Sequence, residues 1–324
     1  MRESEGLRVD RLTVGIAGRE IVRDVSFVVG ASEAYGLVGE SGSGKSMTCR
    51  AILGLLPPGS STSGQILLGQ TSLLELSPRR LRRLRGSAVG MVFQDPMAAL
   101  NPVLRVGPAI SQVIRSHADV TRTEARAGAI GAMKRVGIRD AERRARNYPH
   151  QFSGGMRQRI VIAMALAARP RLLLADEPTT ALDVIVQAGI LRLLDSLRRD
   201  EAMSLLLVSH DLSIIAGMCE RVGVMYAGEL VEEGPTSEVL SRPRHPYTKA
   251  LIDSHPEDGS SRRLRSIAGS PPEPGRLPTG CVFSSRCELV TDKCRAAPIE
   301  FLHVDVDHHA RCIRSELLVP AAEA

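Results

Sequence analysis

Apolar and polar positions alternate along residues 7–16 and again along 21–29, with Ala17-Gly18-Arg19-Glu20 between the two runs. Period-two alternation on both sides of a glycine-bearing turn predicts an antiparallel hairpin. Residues 34–38 are continuously apolar and read as a buried strand. A glycine-rich turn follows at once, then a helix over residues 45–55. Another strand is expected at about 88–93. From about 97 to 168 the spacing turns helical, with breaks at Asn101-Pro102 and Tyr148-Pro149. Residues 172–175 and 205–209 are apolar runs of the kind that parallel sheets bury on both faces. A helix over 185–199 lies between them, and strand–helix–strand order predicts an α/β core. Residues 222–226 and 229–233 read as a closing hairpin around Ala227-Gly228. Beyond Arg242 the pattern dissolves: residues 255–280 carry Pro256, Pro271, Pro272, Pro274 and Pro278 among glycines and serines, which predicts a linker or a loop-rich segment.

Composition narrows the class. The 324 residues are 43% hydrophobic and 24% charged, with 42 basic against 36 acidic side chains. This describes a folded globular chain rather than a disordered one. The longest apolar run, residues 160–168, is far short of the roughly 18 residues of a membrane span. Met1-Arg2-Glu3-Ser4-Glu5-Gly6 lacks the apolar core of a secretory signal, so a cytoplasmic location is expected. The net charge of +6 invites a nucleic-acid reading. Against it, aromatic residues make up only 3% and tryptophan is absent, whereas single strands are bound on aromatic platforms. Arginine runs such as Arg79-Arg80-Leu81-Arg82-Arg83 read as a solvated helix face.

Three segments carry chemistry. Gly39-Glu40-Ser41-Gly42-Ser43-Gly44-Lys45-Ser46 fits G-x-x-x-x-G-K-[ST] in full, after a predicted strand and opening a helix. Its glycines let backbone N–H groups wrap phosphates, and the helix N-terminus adds partial positive charge. Lys45 reaches the terminal phosphates, and the Ser46 hydroxyl is a Mg²⁺ ligand. Second, the strand ending at Asp176-Glu177 presents two carboxylates. Asp176 suits the Mg²⁺ shell through water, and Glu177 can polarise an attacking water. Third, Ser153-Gly154-Gly155-Met156-Arg157-Gln158-Arg159 opens another helix, with Ser153 expected as its N-cap. Two anion-binding helix starts with one lysine-bearing loop leave two readings: two bound anions, or a second start that serves another subunit's nucleotide.

The order of the phosphate loop, Gln94 in Val92-Phe93-Gln94-Asp95-Pro96, the Ser-Gly-Gly segment, Asp176-Glu177, Ala181-Leu182-Asp183 and His210 resembles that of ATP-binding-cassette (ABC) ATPases over residues 7–240. Leu100-Asn101-Pro102, His245-Pro246-Tyr247-Thr248 and the tail Gly280-Cys281-Val282-Phe283-Ser284-Ser285-Arg286-Cys287 are similar to the ATPase subunits of dipeptide and oligopeptide importers, which extends the resemblance to the whole chain. The resemblance implies a P-loop nucleotide-binding domain over residues 1–240, with a mixed sheet core, an N-terminal antiparallel β subdomain and a helical subdomain at about 97–168. A loop-rich extension with a metal-cluster site would fill 241–324.

It also implies a mechanism. Two ATPase subunits, a second copy or a paralogue, face head to tail, with each ATP between one phosphate loop and the other's signature. Gly39, Ser41, Gly42, Ser43, Gly44, Lys45 and Ser46 would hold the phosphates, and Ile16 would meet the base. Ser153, Gly154, Gly155 and Gln158 would take the γ-phosphate across the dimer. Gln94, with Ser46 and Asp176, would ligate Mg²⁺ and sense the permease. Glu177 would activate water, His210 would contact the γ-phosphate, and Asp183 would couple the two sites. The implied partners are two membrane permease subunits and an extracytoplasmic solute-binding protein, with the chain peripheral on the cytoplasmic face of the cell membrane and no nucleic acid bound.

Two positions depart from the wider family: Met156 stands where Gln is usual and Phe152 where Leu is. A third departure concerns the base. No aromatic residue lies between Met1 and Phe27, so Ile16 offers apolar contact in place of a ring. An aromatic stack is worth about 1–3 kcal/mol, and weaker or less selective nucleotide binding is expected.

The cysteines divide. Cys49 and Cys219 read as small buried apolar residues. Cys281, Cys287, Cys294 and Cys312 crowd the tail with five, six and seventeen residues between successive members. No pair has the two-to-four-residue spacing usual in structural zinc sites. Four thiolates on irregular loops suit a [4Fe–4S] cluster, which the family tail also implies; zinc and unliganded thiols are the alternatives. His303, His308 and His309 are expected at the surface. Of competing functions, a DNA-maintenance ATPase needs coiled coils between the phosphate loop and the signature, and the intervening stretch is too short and lacks heptads. A translation-associated ATPase carries two cassettes and this chain has one. A nickel or other small-solute importer would use a similar ATPase.

Overall fold

The computed structural model describes residues 6–180, 182–254 and 267–318. Ala181 and the first part of the expected linker, residues 255–266, lie outside them. Among the described residues the strands are β1 Leu7–Ile16, β2 Arg19–Val29, β3 Ala34–Val38, β4 Ser61–Leu68, β5 Thr71–Ser72, β6 Val89–Val92, β7 Leu172–Asp176, β8 Ser204–Ser209, β9 Arg221–Tyr226, β10 Glu229–Pro235, β11 Leu302–Asp305 and β12 His308–Ala310. No described helix is long and apolar enough to cross a membrane.

The chain forms two compact units that interleave in sequence. Of the described residues, the first takes 6, 30–33 and those within 75–206. Here β6 and β7 run parallel, Val89 opposite Leu172 and Val92 opposite Ala175. The expected helical stretch appears as short helices, chiefly Val106–His117, Arg122–Arg135 and Gly154–Ala165, which pack on one another. Their buried side chains include Ile110, Ala125, Ala129, Met133, Ile160 and Ile162. Local chemistry sets the ends. Thr121 and Glu124 form a reciprocal capping box at the start of Arg122–Arg135, satisfying two amides that the first turn leaves unpaired. Asp183 caps Val184–Asp200, its Oδ1 accepting from Val186 N at 2.9 Å.

The second unit takes residues 7–29, 34–74 and 207–324. β2, β1, β4 and β5 form an antiparallel sheet in that order. The hairpin turn is only Ala17-Gly18, both at positive φ, which matches the twist of the strands it joins. β4, which the sequence pattern does not announce, pairs along β1 from Leu7–Leu68 to Gly15–Ser61. A mixed sheet runs β11, β12, β10, β9, β3: β9 lies parallel to β3, and the outer pairs are antiparallel.

The tail is more ordered than its composition suggests. It adds two strands to β10 and docks the helix Pro246–Asp253. Fully buried Glu232 is its organiser, accepting from Arg244 N at 2.6 Å and His245 N at 2.9 Å, and pairing with His308 Nε2 at 2.8 Å. His308 is therefore a core residue, only 1% exposed, and not the surface histidine expected. A buried carboxylate has to be partnered, and the backbone of 244–245 and the His308 ring do this.

Candidate nucleotide site

The phosphate loop connects β3 to the helix Lys45–Ile52 in the second unit. Gly39 and Gly44 adopt φ of 150° and 104°, and a Cβ on Gly39 would lie 2.1 Å from the Met225 carbonyl oxygen. Only glycine permits that path. Lys45, 5% exposed, folds over the loop and donates from Nζ to Gly39 O at 2.8 Å, Glu40 O at 2.9 Å and Ser43 Oγ at 3.2 Å. The ammonium is thus held where an anion on the loop amides would meet it. Ser46 sits in the first helical turn, beside the left-handed Gly44 cap.

The acid pair belongs to the first unit. Asp176 ends β7 and is 3% exposed. Glu177 follows with φ of 46°, a left-handed conformation that costs a non-glycine residue about 1–2 kcal/mol. Two donors hold its carboxylate there: Gln94 Nε2 and Thr180 Oγ1, each 2.9 Å from Oε2. The structure thus brings together Gln94 and Glu177, which are 83 residues apart in sequence.

The signature helix also lies in the first unit. Ser153 stands at the N-cap of Gly154–Ala165, but its side chain makes no cap hydrogen bond, contrary to the role expected from sequence. Ser153 and Gly154 are exposed, while Gln158 is only 1% exposed with Nε2 lacking a partner among the described residues. A Cβ on Gly155 would come 2.4 Å from Val186 Cγ1, and one on Gly154 would come 3.6 Å from Leu182 Cδ2. The signature glycines therefore let the helix start sit against the Asp183 segment. His210 follows β8 and is exposed.

Residues 22–180 match the ABC transporter family, and residues 231–294 match the oligopeptide/dipeptide transporter C-terminal region. A dipeptide transport ATP-binding protein of Haemophilus influenzae is 46% identical over 283 residues, 86% of each chain. The chain belongs to the ATP-binding subunits of the ABC peptide transporters. An oligopeptide transport ATP-binding protein of the same organism is 43% identical over 278 residues, again 86% of each chain. Among solved structures, the ATP-binding cassette MJ0796 bound to ADP and Pi has a TM-score of 0.63 at 28% identity, covering 71% of this chain and 98% of its own. The P-loop ABC fold, with its mixed sheet and helices, and ATPase activity follow from this membership.

Four cysteines of this family tail, Cys281, Cys287, Cys294 and Cys312, line one small cavity together with His245 and Phe283. The expected metal-cluster site is nevertheless not supported. Among the described residues no group of three or more His, Cys, Asp or Glu side chains is gathered to hold a metal ion. With no metal present, burial pushes the Cys281 thiol up to about 12 and Cys312 up to about 11, and the neighbouring thiols add to this.

Two further placements escaped sequence reasoning. Glu20 and Ile21 line the cleft beside the phosphate loop. Arg286, next to Cys287, reaches back 246 residues to pair with Glu40 inside the phosphate loop. Its place in the tail motif was visible in the sequence, but nothing there links it to residue 40.

Proposed function

We propose that this chain is the ATP-hydrolysing subunit of a peptide importer, with the nucleotide-binding domain spanning residues 1–240 and the peptide-importer extension 241–324. The observation that carries the reading is the Gln94–Glu177 hydrogen bond beside Asp176, on a chain whose tail is that of oligopeptide/dipeptide transporters.

In this reading Gly39, Ser41, Gly42, Ser43 and Gly44 cradle the phosphates, and Lys45 turns from the loop carbonyls to the terminal phosphates. Ser46, Asp176 and Gln94 are the residues that would hold Mg²⁺, whose charge would neutralise the phosphate oxygens. Glu177, its rotation set by Gln94 and Thr180, polarises the attacking water. His210 holds the γ-phosphate in reactive geometry. Ser153, with Gly154 and Gly155, binds the γ-phosphate of a second ATPase subunit, and the uncommitted Ser153 hydroxyl supports that role. Asp183 links the two sites. Val184 and Ile185, 81% and 83% exposed beside it, give that contact an apolar face.

Phe93, Met97, Val103 and Leu104 are likewise exposed along the segment after Gln94 and supply an apolar seat for a permease. The subunit would therefore work at the cytoplasmic face of the cell membrane, with two permease subunits and a solute-binding protein. The four-cysteine cavity is the place for a [4Fe–4S] cluster, with zinc as the alternative. What supports it is four thiols on one cavity, and a bound metal would stabilise them as thiolates.

The test is reconstitution with the permease pair in vesicles. Peptide-loaded binding protein should stimulate ATP hydrolysis and peptide uptake. Stimulation by a nickel-loaded binding protein alone would move the chain to the small-solute importers.

A further inference from the structure

The phosphate loop accounts for the triphosphate of a nucleotide but leaves the base without a recognised contact. Ile16, the position expected to meet it, offers no ring, and residues 1–26 contain no aromatic side chain. A cleft open to solvent lies beside the loop. It is lined by Ser41, Gly42 and Ser43 of the loop, by Ile21 and Tyr226, by the carboxylate residues Glu20 and Glu40, and by Pro271, Pro272, Pro274 and Leu277 of the C-terminal extension.

The extension is fastened here. Arg286, its side chain 4% exposed, makes a two-pronged ion pair with Glu40: Nη1 to Oε2 at 2.8 Å and Nη2 to Oε1 at 3.1 Å. The same guanidinium donates to Ala268 O at 2.8 Å and Ile267 O at 3.1 Å, the backbone that leads into the proline segment, and to Tyr226 Oη at 3.2 Å. From the other side, Tyr247 Oη accepts from Glu40 N at 2.8 Å. Planar bidentate pairing of this kind fixes geometry as well as contributing energy, which a lysine could not reproduce. Further along, a Cβ on Gly275 would touch the Arg19 side chain at 3.4 Å, so the segment also lies close to the hairpin turn.

We propose that the C-terminal extension completes the nucleotide site of its own chain: residues 271–277 and Ile21 form the apolar wall for the adenine and ribose of ATP, and Arg286 holds that wall to the phosphate loop through Glu40. Proline and leucine faces here replace the absent aromatic stack. The proposal rests on the nucleotide reading above and adds the source of base contact.

Titration calorimetry of the full chain with Mg-ATP and with inorganic tripolyphosphate separates the two. Leu277→Ser, a half-buried position, should weaken ATP binding about tenfold while leaving tripolyphosphate within about twofold. Arg286→Lys should do the same, with circular dichroism confirming that the variant is folded. Unchanged ATP affinity in Leu277→Ser would overturn the wall. So would equal weakening of both ligands, since that would make the segment a prop for the loop. Lys45→Ala serves as the control for the underlying reading: it should abolish binding of both ligands, and retention of tripolyphosphate there would remove the phosphate site itself.

Discussion

Gln94 donates from Nε2 to Glu177 Oε2 across 2.9 Å, joining the segment after β6 to the residue that follows β7. The bond restrains a carboxylate already bent into left-handed backbone, and Thr180 adds a second donor on the same oxygen. Glu177→Gln keeps the shape but removes the charge proposed to polarise water. Steady-state ATP hydrolysis should fall by about 10²- to 10⁴-fold while ATP binding persists. Size-exclusion in ATP should then show a trapped dimer. Hydrolysis at the original rate would remove Glu177 from this role.

Gly155 lies where a Cβ would meet Val186 Cγ1 at 2.4 Å. Alanine in a helix interior gains about 1 kcal/mol over glycine, but overpacking costs about 1–3 kcal/mol. Gly155→Ala should therefore lower the melting temperature despite its better helix propensity. Val186→Ala in the same chain should recover the loss, because it empties the space the new methyl needs. A double variant no better than the single one would show that the clash is not the cause.

His245 is fully buried, and burial lowers its pKa to about 3. Unfolded, the ring titrates near 6.5, so between these values the unfolded chain binds the extra proton and folding loses stability as pH falls. His245 Nδ1 also caps the helix Pro246–Asp253 by accepting from Tyr247 N at 3.1 Å. Asparagine can make the same cap without titrating. Relative to His245→Asn, the parent should lose about 1.4 kcal/mol per pH unit below 6.5. Denaturant titrations from pH 7 to 5 would measure it; a constant difference between the two proteins would contradict the buried neutral ring.

Purification under anaerobic conditions followed by iron, sulfide and zinc analysis tests the four-cysteine cavity. About four irons per chain with visible absorption would establish a cluster, as four-cysteine ligation requires. Stoichiometric zinc would favour the alternative, and neither metal would leave four unliganded thiols lining the cavity. In the metal-free case Cys294→Ala should cost only what a small packing change costs.

Much of the fold was legible because its signals are local. Residues 34–38 form β3 as the continuous apolar run predicts, and the turn at Ala227-Gly228 closes β9 on β10. β4 was not legible: Ser61–Leu68 opens with five exposed polar or small positions, and its strand identity comes from pairing with β1. β11 and β12 escaped for the same reason, since β12 exists as a partner of β10 and β11 as a partner of β12. Helix ends shifted by a few residues where caps decided them, as at Asp183.

The sequence by itself determined the phosphate loop, the Asp176-Glu177 pair and the signature, because each depends on residue types at fixed spacing along one turn of backbone. Tertiary structure alone decided which distant residues share a task. Gln94 with Glu177, Gly155 against Val186, Glu232 with His308, and Arg286 on Glu40 are all pairings over separations that no local pattern encodes. Their geometry comes from packing and from the need of buried charges and polar groups to find partners. The same requirement turned a composition that reads as a loose proline-rich tail into a structured extension fastened to the phosphate loop.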